Sequence, residues 1–396
     1  MSHQQSTIAI KLKPAAERAI RKQHPWVFDE SITKVSKEAV TGDLAVIFDN
    51  KKNKFLAVGL YDAESPIRIK VLSTEKGVKI DDKWVFHQIE KAFWKRKDHL
   101  NDHLDSCRIV YGENDGLPGL IIDKYGDMTV VKLYSGIWIG FLDAIVEALR
   151  RILQSNGIFL RLSRNVEKHF TQLENGSLLL GESSSPIVQF QEYGVTFEVD
   201  LINGHKTGFF LDHRHNRVAL QQMSKDKSVL DVFSYAGGFS VHALVGGASR
   251  VVSVDISKQA LSLARHNALI NHVEANHETI SGDAFAILQD LANRGETFDR
   301  VIIDPPSFAK KASEHQKALV AYERLARLGA ELMASDGVLI LASCSSRVSA
   351  DDFFALVNNA VTGVNHRLRL YKKTFHDFDH PVTFPEGSYL KCGYWK

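Results

Sequence analysis

Five short motifs in the second half of this 396-residue chain combine glycines, carboxylates and one cysteine, and each lies at the end of an apolar run. The motifs are 231–240 (DVFSYAGGFS), 251–255 (VVSVD), 282–284 (GDA), 303–308 (IDPPSF) and 342–345 (ASCS). Each apolar run predicts a buried strand, and a predicted helix follows each motif. In an open parallel sheet, ligands bind where the carboxyl ends of the strands meet. We therefore expect the five motifs to form one site.

The first three motifs predict a site for an adenosyl group. Gly237 and Gly238 permit a tight turn close to a ligand, although a plain βα loop would also need them. Asp255 can accept hydrogen bonds from both ribose hydroxyls, and Asp283 from the adenine amine, with Ile256 against the ring. A lysine-containing phosphate loop is missing, which disfavours ATP or GTP. We predict S-adenosylmethionine, contacted by Phe209, Asp231, Phe233, Ser234, Tyr235, Gly237, Gly238, Asp255, Ile256, Asp283 and Ala284.

Asp304 and Cys344 follow the fourth and fifth strands of this series, which are neighbours in the expected topology. A thiolate that adds to C6 of a pyrimidine creates an enamine, whose C5 can accept a methyl group. A protonated Asp304 would stabilise charge at N3, and no residue is assigned to remove the C5 proton. We expect Pro305, Pro306 and Phe308 to line the base. The alternatives are a rigid loop terminator for the prolines and inert packing for the cysteine.

The stretch 205–214 (HKTGFFLDHR) precedes the sheet and could cover the methionine half of the cofactor. Its alternative is the start of a helix that continues into Val218 and Leu220. His213 and His215 face different sides of such a helix, so they make a poor metal pair. We predict no metal.

In the N-terminal segment, Arg18, Arg21 and Lys22 lie close to Trp26 and Phe28. Positive charge mixed with aromatic rings suits contact with an RNA backbone and stacking on bases. A core position for the two aromatic residues is an equally good explanation. We predict the three basic residues as RNA contacts.

Composition predicts an ordinary globular chain, with 44% hydrophobic and 24% charged residues and a net charge of +2. Three unpaired cysteines suit a reducing compartment. The start of the chain lacks the pattern of a signal peptide, and charges interrupt the most apolar window, 130–149. We expect a cytoplasmic protein with no membrane partner.

The pattern along the chain divides it into three predicted domains: 1–80, 81–186 and 187–396. The first is a small barrel-like β domain with strands near 8–12, 44–48, 55–61 and 67–72 and a helix at 15–22. The second is a small α/β domain with helices at 81–103 and 142–153. The third is a doubly wound α/β sheet that ends in an antiparallel edge hairpin. Its strands are predicted near 228–233, 250–255, 277–282, 299–304, 337–343, 366–374 and 389–395.

With these residues, the chain resembles the bacterial ribosomal RNA large subunit methyltransferase I family over essentially its full length. The resemblance includes 24–28 (HPWVF), similar to an RNA-binding PUA domain, and 113–120 (ENDGLPGL), similar to the family's central domain. It implies a Rossmann-like class I methyltransferase fold. It also implies that Cys344 is the nucleophile. Many RNA cytosine-C5 methyltransferases carry a second cysteine where this chain has Pro306.

The resemblance implies an enzyme that makes 5-methylcytosine at a specific cytosine of 23S rRNA, alone or within an assembling large subunit. The oligomeric state stays open, with a homodimer as one option. One alternative is methylation of an exocyclic amine, guanine N2 or adenine N6, with Cys344 inert. A second is a catalytically silent RNA-binding assembly factor.

Overall fold

The computed structural model describes residues 5–182, 185–309 and 311–396. Residues 7–73 contain a mixed six-stranded sheet, in which alternate residues of the first strand, Ile8, Ile10 and Leu12, are buried. Its strands are β1 (Thr7–Leu12), β2 (Trp26–Phe28), β3 (Ile32–Val35), β4 (Leu44–Phe48), β5 (Phe55–Tyr61) and β6 (Ile67–Ser73). They run in the order β2-β6-β5-β4-β1-β3, with helix α1 (Pro14–Arg21) between β1 and β2. The predicted strands and helix are confirmed, and β2 and β3 were not predicted.

The middle of the chain contains a five-stranded sheet in the order β11-β10-β9-β8-β7. The strands are β7 (Ser106–Tyr111), β8 (Leu120–Tyr125), β9 (Met128–Leu133), β10 (Gly157–Leu162) and β11 (Leu178–Leu180). The helices are α2 (Asp82–Trp94), α3 (Leu142–Ile152) and α4 (Arg164–His169). The prediction of a helix up to residue 103 was wrong. The residues after Trp94 carry no apolar stripe, and the buried Arg96 side chain pairs with Asp115 at 2.6 Å.

A β-hairpin, β12 (Ile187–Glu192) and β13 (Val195–Asp200), and helix α5 (Arg214–Gln222) precede the C-terminal sheet. Seven strands of the described residues form that sheet, in the order β16-β15-β14-β17-β18-β20-β19. They are β14 (Ser228–Val232), β15 (Arg250–Asp255), β16 (His277–Ser281), β17 (Phe298–Ile303), β18 (Met333–Ser343), β19 (Leu370–Thr374) and β20 (Lys391–Trp395). The helices between them are α6 (Gly238–Val245), α7 (Lys258–Ile270), α8 (Ala284–Asn293), α9 (His315–Glu331) and α10 (Ala350–Val364).

The pairing of this sheet confirms the predicted doubly wound arrangement. β14, β15, β16, β17 and β18 are parallel, so their carboxyl ends share one edge. β20 is antiparallel to both β18 and β19 and closes the other side as the predicted edge hairpin. β19 begins at Leu370 rather than near residue 366, because the chain first makes a turn in which Leu368 N bonds to Asn365 O.

The chain packs into two compact units. The first comprises Met1–Val188, Asp200–Gly208 and Asp379–Phe384, and the second comprises Gln189–Val199, Phe209–Phe378 and Pro385–Lys396. The predicted cofactor and catalytic residues all belong to the second unit. The first unit contains both the first and the second predicted domain, and the three-domain division stays a prediction. In the described part of the chain, no helix has both the length and the apolarity needed to cross a bilayer.

Candidate active site

The loop between β14 and α6 has an unusual backbone. Phe233, Tyr235 and Gly237 have φ angles of 66°, 47° and 79°. Left-handed residues other than glycine are uncommon, and they concentrate at functional sites. Gly237 also lies against α7, since an added Cβ would approach Ala264 Cβ to 2.8 Å. Glycine is therefore required at position 237 for two reasons, the left-handed φ angle and the close packing against α7.

Two buried polar atoms in and beside this loop lack partners among the described residues: Asp231 Oδ1 and Ser234 Oγ. The other Asp231 oxygen accepts hydrogen bonds from Ser240 N at 3.0 Å and Ser240 Oγ at 2.5 Å. Burial raises the pKa of Asp231 to about 7. Buried polar groups in folded proteins are nearly always satisfied. The two atoms therefore indicate a polar ligand with a donor for the carboxylate.

The ends of β15 and β16 present the next two carboxylates. Asp255 accepts from Tyr235 N at 2.9 Å and Ser257 N at 2.8 Å, which fixes the carboxylate at the strand end. The adjacent Ile256 side chain is 76% exposed, which is rare for a large aliphatic residue and suits a flat apolar ligand. Asp283 is exposed and caps α8 by accepting from Ala286 N at 3.0 Å. The first residue of α8, Ala284, is buried.

Phe209 lies beneath the loop. Its ring is 3% exposed and packs against Phe197 and Phe190 with centroids 4.9 Å and 5.2 Å apart. The Arg217 guanidinium lies 4.9 Å from the ring centroid. An added Cβ at Gly238 would lie 3.2 Å from Phe209 Cζ, so the ring supports the start of α6. A direct cofactor contact by Phe209 stays a prediction.

The ends of β17 and β18 bring Asp304 and Cys344 together. The Cys344 thiol donates to Asp304 Oδ1 at 3.7 Å. Cys344 is half-buried, and burial together with the Asp304 carboxylate raises its pKa well above the usual value. A thiol in this setting is protonated at neutral pH and needs a proton acceptor before it can act as a nucleophile.

His213 completes this group, although it was not among the predicted catalytic residues. Its Nε2 lies 3.4 Å from Asp304 Oδ1 and 3.9 Å from Cys344 Sγ. The side chain is 2% exposed. Burial acts to lower its pKa, but the Asp304 carboxylate outweighs that effect and the pKa is raised. In the sequence, His213 was one polar residue in a stretch predicted to cover the cofactor, 131 positions before the cysteine.

The loop after Cys344 is held by a buried lysine. Lys391 Nζ donates to the backbone carbonyls of Ser345, Val348 (2.6 Å) and Tyr389 (3.1 Å). Burial lowers the pKa of Lys391 to about 8. Three carbonyls around one ammonium group restrict the loop, and with it the position of the thiol.

Pro305, Pro306 and Phe308, which were predicted to line the base, differ in their exposure and packing. Pro305 is buried and Pro306 is exposed. The Phe308 ring packs edge-on against Tyr322, with centroids 5.2 Å apart, on the side of the hydrophobic core. Its packing explains its aromatic character, and stacking on a base stays a prediction.

In the first unit, Arg18, Arg21 and Lys22 are exposed on or just after α1, and Arg21 pairs with Glu17 at 3.3 Å. The two aromatic residues that follow in the sequence, Trp26 and Phe28, differ in their exposure. Trp26 is half-buried and donates to Glu113 Oε1 at 2.9 Å, with its ring against Phe384. Phe28 is 42% exposed.

Comparison with known proteins gives the family of the chain. Residues 163–380 match the S-adenosylmethionine-dependent methyltransferase family, and residues 10–74 match a PUA-like domain. The chain is 38% identical to a ribosomal RNA large subunit methyltransferase of Deinococcus radiodurans, over 97% of this chain and 96% of that protein. It is 34% identical to ribosomal RNA large subunit methyltransferase I of Escherichia coli, over 97% and 98% of the two chains. The chain belongs to this methyltransferase family.

A solved methyltransferase structure in complex with SAH is similar to this fold, with a TM-score of 0.84 and 23% identity over 98% of this chain and 99% of that one. A methyltransferase of Streptococcus mutans gives a TM-score of 0.83 at 22% identity, with the same coverage. As a family member, the protein uses S-adenosylmethionine. The unpartnered oxygens of Asp231 and Ser234 and the exposed Ile256 fit a ligand with cationic, polar and flat apolar parts.

Proposed function

We propose that this protein transfers a methyl group from S-adenosylmethionine to C5 of a cytosine in large-subunit ribosomal RNA. The observation that carries the proposal is the pair formed by the Cys344 thiol and the Asp304 carboxylate, 3.7 Å apart at adjacent strand ends. A nucleophile beside a proton acceptor is the arrangement that covalent catalysis requires. When bound, the cofactor supplies an electrophilic methyl group.

In this mechanism, the proton of Cys344 passes to Asp304 as the sulfur attacks C6 of the cytosine. The neutral Asp304 carboxyl then donates to N3, where the electron pair displaced from the C5–C6 bond gathers. The raised pKa of the thiol makes this transfer necessary. The Lys391 ammonium, bonded to three carbonyls, holds the loop that carries the sulfur.

Ribosomal RNA as the substrate is supported by the names of the two full-length relatives, both large-subunit rRNA methyltransferases. The PUA-like match at 10–74 and the exposed Arg18, Arg21 and Lys22 support contact with an RNA backbone. The target cytosine must be unpaired or flipped out of its helix to reach a strand-end site.

The test compares the wild type with Cys344→Ala, using rRNA, tritiated S-adenosylmethionine and mass spectrometry of the nucleosides. We expect label in 5-methylcytidine and a loss of turnover of at least about 10³-fold in Cys344→Ala. Cys107→Ala is the matched control, since Cys107 is a buried cysteine in β7 of the first unit. Label in a methylated exocyclic amine, with Cys344→Ala still active, would contradict the proposal and favour amine methylation.

A further inference from the structure

We infer that His213 is the base that removes the C5 proton after methyl transfer, so that the product can leave the cysteine. This inference rests on the proposed cytosine-C5 chemistry, which requires such a base. It begins with the group formed by His213, Asp304 and Cys344, whose side-chain nitrogen, oxygen and sulfur atoms lie within 4.8 Å of one another.

The position of His213 relative to the sulfur carries the argument. A general base must come within hydrogen-bonding reach of the proton that it removes. His213 Nε2 lies 3.9 Å from the Cys344 sulfur, which would be bonded to C6 of the base, and C5 is the next ring atom. The histidine reaches this place from the turn Leu211–His213, outside the strands that carry Asp304 and Cys344.

A fixed neighbour orients the imidazole. The Asn216 side-chain amide lies 3.0 Å from His213 Nδ1, and Asn216 is fully buried. Its oxygen, Oδ1, accepts hydrogen bonds from the hydroxyls of Thr374 and Tyr394, each at 2.7 Å, so the amide nitrogen faces Nδ1. Hydroxyl groups donate or accept, so the amide serves Nδ1 in either orientation. In the reverse orientation of the amide, Nδ1–H donates to the amide oxygen and the amide nitrogen donates to the hydroxyls, which leaves Nε2 unprotonated beside Asp304 and Cys344, as proton removal requires.

Several other groups near the sulfur have partners or roles of their own. Asp304 holds the proton at N3 in the proposed mechanism. Lys391 is an ammonium whose bonds go to three carbonyl oxygens. Asp212 accepts a hydrogen bond from the Tyr389 hydroxyl at 2.6 Å. Pro306, where a second cysteine would be expected, has no group that could accept a proton.

The elimination step balances with His213 as the acceptor. The C5 proton moves to Nε2, and the electron pair of the C5–H bond forms the C5–C6 double bond. The C6–S bond breaks, and its electron pair leaves with the sulfur of Cys344. Asp304 recovers the N3 proton and returns it to the thiolate. The imidazolium passes its proton to solvent through the Asp304 carboxylate, 3.4 Å away and 24% exposed.

The experiment uses two RNAs that share the target sequence, one with cytidine and one with 5-fluorocytidine, whose fluorine cannot leave as a cation. On cytidine RNA, His213→Gln should lose about 10²-fold or more in turnover and accumulate a tritiated, SDS-stable protein–RNA adduct. The wild type should show little adduct on cytidine RNA. On 5-fluorocytidine RNA, the wild type and His213→Gln should both be trapped, and Cys344→Ala should not.

Each variant is first shown to bind S-adenosylhomocysteine as the wild type does, with His213→Asn as a second variant. His215→Gln is the matched control, because His215 Nδ1 lies 3.2 Å from the carboxylate of Asp377, which is not part of the group formed by His213, Asp304 and Cys344. Normal turnover by His213→Gln, or a failure to form either adduct while the wild type is trapped, overturns the role of His213. No trapping of the wild type on 5-fluorocytidine RNA overturns the proposed function instead.

Metal analysis of the purified protein adds an independent readout. The same three atoms are of the kinds that bind zinc. A metal would occupy the Nε2 lone pair and the sulfur, and neither could then act as proposed. Stoichiometric zinc in the active enzyme would therefore overturn the role of His213 as a base, and its absence is the expected result.

Discussion

The two carboxylate oxygens of Asp231 differ in their hydrogen bonding. One of its oxygens is bonded twice to Ser240, while the other is buried without a partner in the described part of the chain. Burial raises the pKa of Asp231 to about 7. Because this pKa is raised above the value of 3.8 in the unfolded chain, protonated Asp231 stabilises the unliganded protein. That contribution is complete below about pH 4 and is lost as the pH rises through about 7.

A cationic ligand group beside Asp231 reverses this preference, because it binds the ionised carboxylate. We expect the affinity for S-adenosylhomocysteine to rise up to about tenfold between pH 6 and pH 8. In Asp231→Asn, the affinity should be lower and nearly independent of pH over this range. Titration calorimetry at the two pH values checks the expectation. An equal pH dependence in both proteins would assign the effect to another group.

Among the individual residues of the site, some positions could be predicted from the sequence and one could not. The positions of Asp255, Asp304 and Cys344 at strand ends were predictable, because each ends or follows an apolar strand and parallel strands place their carboxyl ends together. His213 was not, because its contact with Cys344 spans 131 residues and depends on the path of an irregular segment. No periodic pattern encodes such a path.

At the scale of elements, the β14–α6 connection combines backbone strain with close packing. Its left-handed residues turn the chain within a few positions, and α6 begins directly afterwards with Gly237 as its N-cap. Ser234 Oγ in this turn and Asp231 Oδ1 in the preceding strand are buried without a hydrogen-bond partner among the described residues. An element of this kind costs stability, and its neighbours must hold it in place.

Comparing Gly237→Ala with Gly295→Ala should separate the cost of the left-handed φ angle from the cost of the contact with Ala264. Both Gly237 (φ 79°) and Gly295 (φ 71°) are left-handed, but an added Cβ at Gly295 meets nothing within 4 Å. We expect Gly295→Ala to lower the free energy of unfolding by about 1 kcal/mol. Gly237→Ala should cost roughly 2–4 kcal/mol, because its Cβ also collides with Ala264. Urea unfolding of both variants provides the measurement, and equal losses would show that packing adds nothing.

The regular elements themselves were largely predictable. Long apolar runs between turn signals predicted the sheet strands to within a few residues, since buried parallel strands need continuous apolar sequence. Short elements such as β2, β3 and α4 carry too few residues for a period to emerge. The overextended helix at 81–103 failed for a different reason. Polar residues that favour helices do not form one without an apolar face to bury.

At the scale of the whole molecule, a net charge of +2 is too small for general attraction to RNA. Affinity must come from local patches, and Arg18 and Lys22 offer exposed positive charge on or beside α1. Each phosphate that a protein neutralises releases counterions, so binding weakens as salt increases. The slope of log K against log salt therefore measures the number of phosphate contacts, independently of catalysis.

Replacing both Arg18 and Lys22 with alanine should weaken binding of an rRNA fragment and leave binding of S-adenosylhomocysteine unchanged. The slope of log K against log salt should fall by up to about 2, because each lost phosphate contact removes about 0.9. Lys51→Ala with Lys52→Ala is the matched control, since this exposed pair lies between β4 and β5 of the same sheet. If both pairs lower the slope equally, the attraction is a general effect of charge. If only Arg18 and Lys22 do so, RNA contacts this helix through its phosphate groups.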